Sequence, residues 1–72
     1  MVLYNNNGGN SGVVAYEIGT DYICVQFSTS KVYTYNYISA GVENIEEMKI
    51  LALNGEGLNS FINKYVKYNY VK

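Results

Sequence analysis

The chain has 72 residues, 49% of them hydrophobic, with a formal net charge of −1 and a sequence pI near 5.1. That length accommodates one core and no second domain, and the acidic balance excludes the broad basic footprint of a duplex-DNA binder. Histidine and arginine are both absent, which removes the commonest general acid–base, the commonest zinc ligand and the bidentate phosphate fork. Neither an enzyme nor a metal or cofactor site is therefore expected.

In chain order, "NNNGGNSG" (Asn5–Gly12) is polar and glycine-rich, so residues 1–12 read as a flexible lead-in to a single domain over 13–72. "VVAYEI" from Val13 reads as a first strand, and "GTD" (Gly19–Asp21) offers a turn. "YICVQF" (Tyr22–Phe27) alternates, with Ile23, Val25 and Phe27 on one face and Tyr22, Cys24 and Gln26 on the other. "STS" (Ser28–Ser30) turns into "KVYTYNY", where Tyr33, Tyr35 and Tyr37 share a face. Asn44 with Glu47 three residues on resembles a capping box, and Ile45, Met48, Leu51 and Ala52 form an apolar stripe behind it. Gly55 suits a left-handed helix end. A second helix opens near Leu58, with Leu58, Phe61, Ile62, Tyr65 and Val66 at helical spacing. "YNYV" alternates again, as a short strand or a segment lying on the sheet. The expected fold class is α+β: a three-stranded antiparallel meander followed by two amphipathic helices packed on one face of the sheet.

Two registers compete for the tyrosine strand. A two-residue turn sets Gln26 opposite Tyr33 and Cys24 opposite Tyr35, which leaves the tyrosines on a semi-polar face. A bulged turn sets Phe27 opposite Tyr33 and Val25 opposite Tyr35, which makes them core. On the semi-polar face they would be a stacking platform for bases or a self-association surface. "STSK" lacks the Asn-Gly that would force the tight version.

Elsewhere, "NGEGLNS" combines two glycines with a helix start, which serves either as a tight turn and cap or as an anion cradle. Glu56 inside it opposes a phosphate. Residues 58–72 carry three lysines and no acid, against six acids and two lysines before them. Lys64, Lys67 and Lys72 alternate there with Tyr65, Tyr68 and Tyr70, a mixture that suits a short single strand as well as a solvated helix end. Cys24, the single cysteine, has no histidine to activate it and reads as a packing residue. One cysteine, no long apolar run and no signal-peptide pattern lead to the expectation of a cytoplasmic protein without membrane association.

The order of these motifs resembles the KTSC domain, a family named for the C-terminus of some lysyl-tRNA synthetases and also found as small free-standing bacterial and phage proteins. Phe27, Tyr33, Tyr35 and "GEGLNSFINKYVK" (Gly55–Lys67) carry the likeness, which extends over nearly the whole chain. Family members often have arginine near the end of the last helix, where this chain has Lys64 and Lys67. The family has no established activity, and its occurrence beside a tRNA enzyme implies RNA binding. In a phage-encoded chain, the same reading extends to sequestering a nucleotide signal.

These readings converge on a non-catalytic binding protein for a small nucleotide or short single-stranded RNA. Its candidate ligand-binding residues are Tyr33, Tyr35, Tyr37, Gly55, Gly57, Asn59, Lys64 and Lys67. The alternative is a protein-interaction module that forms a homo-oligomer through its tyrosine-rich face.

Overall fold

A computed structural model describes residues 1–5 and 12–72. The fold is α+β, with four antiparallel strands in the order β1-β2-β3-β4. They are β1 (Val2–Leu3), β2 (Val13–Ile18), β3 (Tyr22–Phe27) and β4 (Val32–Asn36), followed by α1 (Tyr37–Ala40), α2 (Val42–Asn54) and α3 (Leu58–Phe61). α3 continues as a π-helical turn, Ile62–Val66. Among the described residues no helix is long and apolar enough to cross a membrane.

The sheet has one strand more than expected. β1 lies inside the segment read as a flexible lead-in; most of the Asn5–Gly12 stretch falls outside the described residues. Val2 pairs with Tyr16 and Leu3 with Ala15. Tyr4 then turns inward, 6% exposed, with its ring edge-on to Tyr16 at 6.5 Å. β2 carries a bulge between Val13 and Ala15 that lets both Val13 and Tyr16 face the core.

Helices cover one face only. Ile23 and Val25 of β3 and Tyr35 of β4 meet Ile45, Met48 and Ala52 of α2 and Leu58, Ile62 and Val66 of the last helix in one cluster. The opposite face is semi-polar, and across it Cys24 Sγ lies 3.2 Å from Thr34 Oγ1. Cys24 is a free thiol there, half-buried.

Helix boundaries depart from expectation at the end of β4 and at the start of α2, and the short α1 is a helix beyond the two expected. β4 ends at Asn36, not at Tyr37, because Asn36 and Ser39 form a capping box: Ser39 N–H donates to Asn36 Oδ1 (2.7 Å) and Asn36 N–H to Ser39 Oγ (3.0 Å). The pair expected in that role, Asn44 and Glu47, lies inside α2. Asn44 instead donates from Nδ2 to the carbonyl of Ala40 (2.8 Å), serving the end of α1.

Between α1 and α2 the chain reverses on Gly41, at φ 94° and ψ 146°. Side chains rarely adopt that region, yet a Cβ there would meet no atom within 4 Å. Gly41→Ala thus isolates backbone strain from steric clash. It is expected to lower stability by about 1–3 kcal/mol with unchanged secondary structure. Chemical denaturation reads this directly, and a loss near zero would show that the turn relaxes.

Gly55 ends α2 in the left-handed conformation, as expected, its N–H shared between Leu51 O (3.0 Å) and Ala52 O (3.2 Å). Gly57 precedes α3 and has no side chain to cap it. The Leu58 N–H is met from the other end of the chain, by the Tyr4 hydroxyl at 3.2 Å.

Candidate functional site

The β3–β4 turn decides where the tyrosines go. Ser28–Ser30 form a three-residue connection: Ser30 N–H donates to Phe27 O (2.8 Å), Phe27 N–H donates to Lys31 O (2.9 Å), and Ser30 sits at φ 72°. A left-handed residue closing a three-residue hairpin makes a bulge that keeps the two strands in phase. The resulting register pairs Val25 with Tyr33 and Ile23 with Tyr35. It is neither of the two registers weighed from the sequence, but it has the facial outcome of the bulged one. Tyr33 and Tyr35 lie on the apolar side.

They do not share one fate there. Tyr35 sits mid-sheet under the helices, 1% exposed. Burial pushes its phenol up to about 12, with its neighbours Tyr33 and Tyr70 adding to the effect. Tyr33 lies nearer the strand end, half-buried, edge-on to Phe27 at 5.7 Å and tilted on Tyr70 at 4.7 Å.

Tyr70 arrives from the C-terminal strap. After the π-helical turn the chain bends, with Asn69 N–H donating to Val66 O (2.9 Å), and runs along β4, where Val71 N–H donates to Thr34 O (2.7 Å). "YNYV" therefore lies on the sheet edge. Between strap, β4 and the π-helical turn is a solvent-open cleft of about 240 Å³. Phe27, Tyr33 and Tyr35 line it from the sheet, Ile62, Asn63 and Lys67 from the helix, and Tyr68 and Tyr70 from the strap. No carboxylate lines it.

The π-helical turn accounts for the helix side. Leu58, Ile62 and Val66 are all buried at intervals of four. In a pure α-helix each such step overshoots a turn by about 40°. Widening the turn offsets that drift, so the three residues stay in line. Tyr65, expected on the buried face, is exposed instead, and Asn63 and Lys67 line the cleft.

Of the eight expected site residues, the cleft gathers three: Tyr33, Tyr35 and Lys67. Tyr37 opens α1, away from the other two, and donates to Glu46 Oε2 at 2.6 Å. Lys49 completes that cluster, bonding Glu46 Oε2 and the Thr20 carbonyl at 2.8 Å each and lying 5.7 Å from the Tyr37 ring centre. The bond to Glu46 raises the Tyr37 phenol, while Lys49 and then Tyr37 hold the Glu46 carboxyl below its usual range. This cluster ties the β2–β3 turn to α2.

Gly55 and Gly57 shape the α2–α3 turn, at the far end of the last helix from Lys67. Asn59 packs toward Gly12, and Lys64 lies over the exposed Tyr65 ring at 5.3 Å. The glycine turn and the tyrosines thus belong to different places. Asn63 and Ile62 carried no sequence signal as site residues, whereas Tyr68 and Tyr70 were visible in the lysine–tyrosine alternation. Comparison with protein-family models, curated proteins and solved structures finds no match.

Proposed function

We propose that the chain is a non-catalytic binding module whose cleft takes a nucleotide-type ligand. The observation that carries this reading is the meeting of Tyr33, Tyr68 and Tyr70 with Lys67 and Asn63 in one cleft without an acid. A base would lie against the rings, Asn63 offers both a donor and an acceptor to its edge, and Lys67 would hold a phosphate. At about 240 Å³ the cleft falls below the usual range for drug-sized ligands, which favours one base over a longer strand. The resemblance to KTSC domains supports the same class of ligand.

Thermal unfolding against mononucleotides, cyclic dinucleotides, short RNA and short DNA at low and high salt tests this. A ligand at 100 times its dissociation constant adds about 2.7 kcal/mol, a rise of roughly 10–20 °C in a domain of this size. Tyr68→Ala, at a ring 69% exposed, is expected to weaken binding by about 1–3 kcal/mol without loss of fold. Lys67→Ala is expected to remove the preference for phosphorylated over unphosphorylated ligand. A flat response across the panel would end the proposal and leave the homo-oligomer reading, for which the exposed rings of Tyr65 and Tyr68 are the available tyrosine surface.

A further inference from the structure

The two rims of the sheet are finished differently. The β4 rim is dressed by the strap, through the bond from Val71 N–H to Thr34 O. The β1 rim is bare. Tyr4 N–H donates inward to Val14 O at 3.0 Å, so by the alternation of an antiparallel ladder the N–H and C=O of Leu3 point outward. Among the described residues nothing bonds them. Proteins commonly blunt such an edge with lysine, proline or a bulge, and Met1-Val2-Leu3 offers none of these.

Beside this rim lies a shallow, largely apolar groove of about 620 Å³, formed by Met1, by Val2, Tyr16 and Ile18 of the sheet and by Leu53 of α2, with Glu17 its one acidic side chain. Leu53 is 65% exposed and Leu3 78%. We propose that this rim is the contact between two copies of the chain, joined through β1 into a continuous eight-stranded antiparallel sheet.

A second copy fits for two reasons. First, Leu3 presents one donor and one acceptor, and a two-fold axis beside it satisfies both with the same groups of the other copy. Second, Met1, Val2, Leu3, Ile18 and Leu53 together expose on the order of 500 Å² per copy that a partner can cover. With the strand edge this approaches the roughly 800 Å² per partner of a standard interface. An isolated peptide strand would meet the backbone groups but leave Leu53 uncovered, whereas a second copy brings its own α2 alongside. This contact is separate from the tyrosine cleft, and ligand binding and pairing can each hold without the other.

Sedimentation of the full chain from micromolar to millimolar concentration is the test. The expected result is a concentration-dependent rise from 8.1 kDa to twice that mass. Leu3→Pro deletes the outward N–H while leaving the inward bonds of Val2 and Tyr4, and Leu53→Glu places charge in the groove on a separate element. Each is expected to give a monomer at every concentration. Amide exchange at Leu3 is expected to slow as the unsubstituted chain is concentrated, which reads the contact without any substitution. A monomer up to millimolar concentration, a dimer that survives both variants, or a dimer lost on Tyr68→Ala but kept in Leu53→Glu would overturn the proposal.

Discussion

Ile45→Ala is expected to cost about 2–5 kcal/mol of stability, the range for emptying a fully buried branched site. Ile45 is 0% exposed and sits among Ile23, Val25, Tyr35 and Leu58, the point where α2 reaches both the sheet and the last helix. A chain of this length has only about 4–11 kcal/mol to lose, so the substitution removes a large share of its total stability. Urea titration should show a lower midpoint with an unchanged slope. Ile50→Ala on the same helix, at a position 52% exposed, is the control and should stay within about 0.5 kcal/mol of the parent. A loss below about 1 kcal/mol at Ile45 would mean that the site collapses freely, contrary to the packing described.

The second large effect is alkaline. The folded Tyr35 phenol lies at about 12, above its unfolded value near 10.0. A raised folded value means that the native state holds its proton more tightly. The corresponding stability is fully present below pH 10 and drains away as pH rises toward 12. The difference is worth at most roughly 3 kcal/mol. Tyr22 and Tyr37 are raised as well, by their bonds to Glu17 and Glu46, and act in the same direction at exposed positions where water screens them. Tyr35→Phe keeps the ring and removes the proton. Denaturant midpoints followed across this pH window should fall steeply in the parent and more gently in the variant, with one phenol of the parent titrating late. Equal alkaline slopes would show that burial of this phenol is not their cause.

The elements legible in the sequence are those with a long enough period. β2, β3 and β4 show in the alternation of Val, Ile and Tyr, α2 in Ile45, Met48 and Ala52, and its end in Gly55. β1 was hidden because two residues cannot show a period, and the polar run after them looked like the end of order. The start of α1 was written in Asn36 and Ser39, but the alternation of Tyr33, Tyr35 and Tyr37 reads across that cap as if the strand continued. Register turned on Ser30, a serine in a conformation that glycine usually supplies. The cleft was half visible: its sheet tyrosines and Lys67 were named, while Asn63 depended on a widened helical turn that a 3.6-residue period does not contain.

The bond between the Tyr4 hydroxyl and the Leu58 amide spans 54 positions of the chain. Almost everything else in the sheet joins neighbours: β1 to β2, β2 to β3, β3 to β4. Neighbouring pairings close short loops and form early, whereas a clasp between the two halves gains nothing until both are in place. Removing the hydroxyl, as in Tyr4→Phe, is therefore expected to speed unfolding more than it slows folding, which stopped-flow kinetics would read.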